Sequence, residues 1–432
     1  MGFSWSEIER SLWGRAAIWL AFVAALGVAP LLFRGGLAMT ILSQAGYVII
    51  ICLSYNILFG QGGMLSFGHA VYTGFGALIA MHAMRMAGTA DGWSVPLPLI
   101  PLAGGLAGGF MAVLFGYVTT KKSGITFAMI TLGLGELVAA MSLMFPGFFG
   151  GEAGVKADRV YGTPLFGVDF GPQIQVYYLI AVYCVICTAL MYAFTCTPLG
   201  RLLNATRDNP ERVEFIGYST QCVRYLAFII SGFFAGIGGG LAAINFEIIN
   251  AGDSLSIAQS GSFLLFTFLG GASFFVGPIL GGIMLVLASV LLSDLTSAWL
   301  LYIGLFFVLM VMYVPGGVAS LIATNVAIVR SGRASRLTVP YVGLMVASIA
   351  TMFGFSLLIE MIYHTQFDAA KGPVMRFLGA AVDTHQPAVW IGAALYTGAF
   401  GALFLLACRQ FAAGWEKIQE EMDAAQLAEV RS

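Results

Sequence analysis

An all-α polytopic membrane protein, a bundle of about 10–12 transmembrane helices with broken or re-entrant segments, is the fold class that this sequence predicts. Three observations point to it. Hydrophobic residues make up 59% of the 432 residues and charged residues 9%, far below the roughly 25% charged content of soluble domains; the mean hydropathy is +0.90. Apolar runs near the roughly 20 residues that a bilayer core requires recur along the whole chain. Glycine, at 55 residues, gathers inside those runs, as in Gly104, Gly105, Gly108 and Gly109 or Gly232, Gly236, Gly238, Gly239 and Gly240, where small residues let helices approach closely. The formal net charge is -1 and no dense basic tract occurs, so nothing suggests a nucleic-acid partner.

In chain order, residues 1–15 read as an interfacial helix. Ser6 stands three residues before Glu9 in capping-box spacing, and Trp5, Ile8 and Leu12 share one face. The run 16–33 lacks a small-residue cleavage site and many spans follow, so it is expected to be a retained span. Further spans are expected at 37–59, 67–84, 96–120, 124–146, 174–196, 223–245, 258–275, 277–293, 298–314, 338–362 and 388–408. The uncharged join at 270–278 allows the pair 258–275 and 277–293 either to span or to re-enter, and both choices return the chain to the same side. A basic linker at 323–339 precedes an extension at 340–408 with two further spans. The tail 409–432 sets Phe411, Trp415, Ile418 and Met422 on one helical face, as a juxtamembrane amphipathic helix does.

One long polar segment, Thr197 to Gly217, sits between two uninterrupted apolar runs. Thr197 and Pro198 suit a helix start; Asn209, placed before Pro210, stops that helix, and a second short helix runs from Pro210 to Gly217. Leu199, Leu202, Leu203 and Thr206 fall on one side and Arg201 and Arg207 on others, so the segment can lie on a membrane domain and offer charge to a partner. With the N-terminus inside, 14 Lys and Arg residues fall in the cytoplasm and 6 outside. The positive-inside rule therefore makes both termini and this segment cytoplasmic.

Two places can carry a transport pathway. The segment from Gln61 through Gly62, Gly63 and Ser66 to His69 interrupts two consecutive spans. It is either a non-helical break lining a pathway, since irregular backbone at membrane depth needs protein or water around it, or a tight turn. Glu136 lies 12 residues after Gly124, about 18 Å along its helix and near mid-bilayer. Such a carboxylate is expected to face the bundle interior, carry a proton or find a partner, lining a pathway or fixing packing. Glu247 and Asp253, just past the span ending near 245, read as solvated. Cys184 and Cys187 have redox or metal spacing but lie in an apolar run with no second ligand pair. No phosphate loop of the form G-x-x-x-x-G-K-[ST], zinc-ligand set or nucleophile elbow occurs. The chain is expected to be no enzyme and to need no metal or cofactor of its own. Few repeated intramembrane charges, which many ion-coupled carriers show, favour a permease driven by another subunit.

Five ordered stretches carry a family resemblance: SYNILFGQGGMLSFGHAVYTGFGAL (54–78), GITFAMITLGLGEL (124–137), TPLGRLLNATRDNPERVEFIGYSTQCVRYLAFIISGFFAGIGGGL (197–241), SIAQSGSFLLFTFLGGASFFVGPILGG (256–282) and YVPGGVASLI (313–322). Together they resemble the LivM-type inner-membrane permease subunits of branched-chain amino acid ABC importers. The resemblance implies a transmembrane domain over 16–322 in a bacterial inner membrane and half of a translocation pathway. It also implies four partners: a second homologous permease subunit, two cytoplasmic ATPases that bind the ATP, and a periplasmic solute-binding protein. Within an ATPase-coupling loop at 197–222, it implies docking roles for Pro198, Gly200, Arg201, Arg207, Asp208 and Gly217. The solute stays open among branched-chain amino acids, urea or short amides, and aromatic acids. A self-contained secondary carrier or channel, and a non-transporting scaffold, are the alternatives.

Overall fold

The structure, a computed structural model, describes residues 12–33, 35–88, 95–161, 169–296, 298–314, 316–330, 334–367, 372–377 and 380–431. Each apolar run folds as helix. The elements used below are α1 (Leu12–Leu32), α2 (Gly36–Asn56, continued by a π-helical turn over Ile57–Gln61), α3 (His69–Ala87), α4 (Ile100–Thr119), α5 (Ile125–Met144), α6 (Gln173–Cys196), α7 (Pro198–Asp208), α8 (Pro210–Phe215) and α9 (Thr220–Phe246). They are followed by the short α10 (Ala251–Ser254), α11 (Ile257–Gly270), α12 (Gly277–Leu287), α13 (Trp299–Tyr313), α14 (Gly317–Arg330), α15 (Ala334–Phe367) and α16 (Pro387–Arg431). Among the described residues seven helices are long and apolar enough to cross a membrane, or eight if a bent pair counts as one span; three further apolar helices are shorter, among them Ile257–Gly270 and Gly277–Leu292. The chain is an all-α polytopic membrane protein. Of the interfacial helix expected at 1–15, residues 1–11 lie outside the described residues, and 12–15 belong to α1.

Two compact units result, one of residues up to 291 with 305–321, the other of 292–304 with 322–432. In the first, α9 is the central helix, packed on α4, α3 and α2. Glycine makes that packing possible, because backbone meets backbone. A Cβ on Gly236 would collide with the Gly104 carbonyl and come within 3.0 Å of Gly108 Cα, and one on Gly239 would collide with the Thr73 carbonyl. Gly236→Val is therefore expected to cost about 1–3 kcal/mol by overpacking. A lower thermal midpoint of the detergent-purified protein measures it, and an unchanged midpoint would contradict the close approach.

Helix α5 sits at the edge of this unit. It buries Phe127, Ala128, Thr131, Gly135, Val138 and Ser142 and leaves its other faces open. The loop after it is held rather than free. Strand β1 (Val155–Lys156) pairs antiparallel with β2 (Ile248–Ile249), and Arg159 bridges to Glu247 at 3.7 Å while donating to Gly171 O and Gln173 Oε1. Residues 162–168 of that loop lie outside the described residues.

In the second unit α15 and α16 pack along one another around Met361, Met375 and Ala393. They are joined by an antiparallel hairpin of β3 (Val374–Phe377) and β4 (Ala380–Asp383). Trp390 Nε1 donates to Thr384 O at 2.9 Å and pins the hairpin to α16. Glu360 accepts from the hydroxyls of Thr296 and Tyr302, so a carboxylate within an apolar helix is paired. The linker expected at 323–339 is mostly helix, divided between α14 and α15, because no proline or glycine interrupts 318–330; residues 331–333 lie outside the described residues. The tail expected from 409 continues α16 without a break to Arg431.

Candidate functional site

The polar segment between α6 and α9 folds as its residues direct. Thr197 Oγ1 accepts from Gly200 N at 3.2 Å and Pro198 occupies the first turn, so two of the helix's free amide positions are answered. Gly200 is buried where a Cβ would strike the Phe194 carbonyl, which lets α7 turn tightly off α6. Asn209 then ends α7 and caps α8, its side chain accepting from Arg212 N at 3.2 Å. Gly217, at φ +90, closes α8, with Gly217 N bonded to Glu214 O and Tyr218 N to Val213 O. Leu203, Thr206 and Val213 face inward, whereas Pro198, Arg201, Arg207 and Asp208 are exposed.

Helix α7 is seated on the break between α2 and α3. Arg207 Nη1 donates to Gly60 O at 2.5 Å, and Asn204 Nδ2 donates to Gln61 Oε1 at 2.7 Å. Arg207 also reaches its neighbour Asp208, Nε to Oδ1, at 3.0 Å. Gly63, at φ +64, lies under the Arg207 side chain, where a Cβ would sit 2.8 Å from Cγ, and a Cβ on Gly62 would press on Leu203 Cδ1 at 3.1 Å. A π-helical turn leaves carbonyls without their usual partners, and the guanidinium supplies a donor to one of them.

Deeper in the break, Ser66 and His69 are fully buried. Tyr55 OH donates to Ser66 O at 3.0 Å and accepts from Ser66 N at 3.1 Å. Ser54 gives its proton to Ile51 O at 2.7 Å, so His69 Nε2–H donates to Ser54 Oγ at 2.9 Å, and His69 Nδ1 has no partner. Phe67 N donates to Thr131 Oγ1 on α5 at 3.2 Å, and Ala70 N to Ser260 Oγ on α11 at 2.9 Å. The segment expected to line a pathway or form a plain turn, buried at Ser66 and His69 and exposed at Gly63, thus ties α2, α3, α5, α7 and α11 together.

Glu136 stands apart from this joint. It is exposed on the open face of α5 and its side chain bonds to no other described residue; of the interior position, the proton or the partner that the sequence led us to expect, the interior position within this chain is not the one seen. Its neighbour Gly135, by contrast, packs on Gly68. At the other end of α9 the structure holds a cavity of about 370 Å³ among α2, α3, α9, α10 and α11. Asp253, which read as solvated, is one of its lining residues.

A seated pair of short polar helices, a glycine-fused helix core and a buried break are matched by sequence comparison. The model of the family described as branched-chain amino acid transport system / permease component matches residues 37–315. The chain belongs to this family. It is an inner-membrane permease subunit of an importer, in agreement with the resemblance that the five stretches carry. The high-affinity branched-chain amino acid transport system permease protein LivM of Salmonella typhimurium is 27% identical over 290 residues, which is 62% of this chain and 67% of that one. LivM of Escherichia coli matches to the same extent. The permease protein BraD of Pseudomonas aeruginosa is 22% identical over 257 residues, 57% of this chain and 81% of that one. No solved structure matches. The permease match ends at residue 315, before α15 and α16.

The sequence reading passed over three exposed apolar side chains at the elbow, Phe215, Ile216 and Tyr218, of which Phe215 is 88% exposed. Phe215 and Ile216 directly precede Gly217, and that adjacency to the closing glycine was the signal available.

Proposed function

We propose that this permease forms half of the translocation pathway of an ATP-driven, binding-protein-dependent importer of branched-chain amino acids or related small solutes. Its partners are a second homologous permease subunit, two cytoplasmic ATPases that bind the ATP, and a periplasmic solute-binding protein. Both termini and the 197–222 loop face the cytoplasm, in keeping with the excess of Lys and Arg there. Residues 16–322 form the permease domain, and 340–408 with the tail 409–432 are an addition to it. The observation that carries the reading is the seat of α7 on the α2–α3 break through Arg207 to Gly60 and Asn204 to Gln61. A force on Pro198, Gly200, Arg201, Arg207, Asp208 and Gly217 has a bonded route into Gln61, Gly62, Gly63, Ser66 and His69, which move as the joint of the pathway rather than as its wall. Glu136 faces the space shared with the second permease.

Reconstitution tests this function. Vesicles holding the chain with its second permease, ATPases and binding protein should accumulate solute only with ATP. Flux through the chain alone, driven by a gradient and indifferent to ATP, would overturn the reading in favour of a self-contained carrier. Arg207→Ala should leave the complex assembled, since the side chain is part-exposed, and lower transport per ATP hydrolysed about 10-fold or more, the worth of one charge-assisted hydrogen bond. Unchanged coupling would remove Arg207 from the route.

A further inference from the structure

We propose that the cavity at the Phe246 end of α9 is a solute subsite of the permease itself, built for a zwitterion with an apolar side chain, and that Asp253 receives its ammonium group. This rests on the importer reading and deepens it. The volume of about 370 Å³ falls in the range of roughly 300–1,000 Å³ of small-molecule sites. The wall is divided by chemistry. Ile51, Ala77 and Phe263 supply apolar surface, and Asn250, Asp253 and Gln259 supply polar groups. Gly74 and Gly239 hold the wall together by close packing, since a Cβ on Gly239 would meet the Thr73 carbonyl and one on Gly74 would press 2.5 Å from Leu255 Cδ2.

The polar groups are available for a ligand. Asn250 Oδ1 is engaged by Gly252 N at 3.0 Å, which fixes the side chain and leaves its amide hydrogens free. The Asp253 carboxylate, the Gln259 amide and the Tyr47 hydroxyl have no hydrogen-bond partner among the described residues, and all line the cavity. The donors left over (Tyr47, Asn250 and Gln259) are neutral, so they can hold a carboxylate while Asp253 holds a cation.

Charge narrows the ligand further. The lining contains one acidic residue and no basic one. A net anion such as an aromatic acid would meet an unanswered carboxylate, and a small flat amide would leave the apolar wall unfilled. An amino acid with an aliphatic or aromatic side chain satisfies both halves. The position suits transport as well. Thr220 and Phe246 bound a 27-residue helix, so the cavity lies about 39 Å from the coupling elbow at 1.5 Å per residue.

The test is leucine uptake by vesicles containing the complete importer, with binding-protein-stimulated ATP hydrolysis measured in parallel. Asp253 is exposed on a four-residue helix, so Asp253→Asn should fold and assemble. It should raise the KM for leucine about 10-fold or more, the worth of a charge-assisted hydrogen bond, while stimulated hydrolysis stays; Asp253→Glu should recover part of the loss. Ala242→Leu, which adds bulk to the lining, should raise the KM for leucine more than that for alanine. Wild-type KM values in the Asp253→Asn importer would overturn the subsite. A fall in stimulated hydrolysis together with uptake would also overturn it, by assigning Asp253 to docking of the binding protein. No ATP-dependent leucine uptake by the wild type would instead overturn the importer reading, and the subsite with it.

Discussion

Replacing Phe215 by Ser is expected to release the ATPases from the permease while the membrane domain stays folded. The side chain is 88% exposed, and Ile216 and Tyr218 beside it are 65% and 52% exposed. The elbow that carries them is rigid: Val213 is buried, Thr220 Oγ1 donates to Glu214 Oε1 at 3.0 Å, and Gly217 closes the helix. Three neighbouring apolar groups on an ordered turn of charged sequence suit a partner's groove, where a central aromatic side chain contributes about 2–4 kcal/mol. That is about 30- to 1,000-fold in affinity. Co-purification of the ATPases with tagged permease measures it. Full retention of the ATPases by the Phe215→Ser protein would show that the aromatic group rests in the bilayer interface and would remove it from the coupling site.

The second large effect is expected at Glu136. A carboxylate near mid-bilayer is costly when it faces lipid, by about 2.5–3.5 kcal/mol or more for charged residues on insertion scales. Yet here it lies on an open face of α5 beside Leu132, Gly133 and Leu137. In the proposed importer, a donor from a second permease or water in a shared pathway would resolve the conflict. Glu136→Gln keeps an acceptor and should preserve pairing of the two permeases. Glu136→Lys removes the acceptor and sets a cation against the donor, so pairing and transport should both be lost. Membrane pull-down of the second permease, with uptake as the second readout, separates these cases. Equal transport by wild type and Glu136→Lys would exclude any contact of this residue with partner or pathway.

Why some of this was legible in sequence and some not follows from range. The long apolar helices announce themselves through local composition, unlike the short α10 and much of α14, and the α7–α8 elbow does so through Thr197, Pro198, Asn209, Pro210 and Gly217, each acting within a few residues. The seat of α7 joins Arg207 to Gly60 across 147 positions, and the cavity gathers Tyr47, Thr73, Phe246 and Gln259 from four separate helices. No periodicity records such encounters. Asp253 follows the end of a span, the usual place of a solvated residue, and only the short α10 and the β1–β2 pairing bring it to the cavity. Glu136 marks a different limit. Mid-span acidity argues for an interior position, but α5 is nearly uniform in hydropathy around its circumference, so the sequence could not say which side faces inward.

The glycine contacts of α9 have a mechanical consequence. Where Gly236 meets Gly104 and Gly239 meets Thr73, main chain presses on main chain, and no layer of rotatable side chains lies between to absorb displacement. Helices α3, α4 and α9 therefore behave as one strut and not as a spring. A push delivered near Thr220 is expected to reach Phe246 with little loss. Compliance is expected instead where side chains intervene, as where Gly238 of α9 faces the Ile51 side chain of α2.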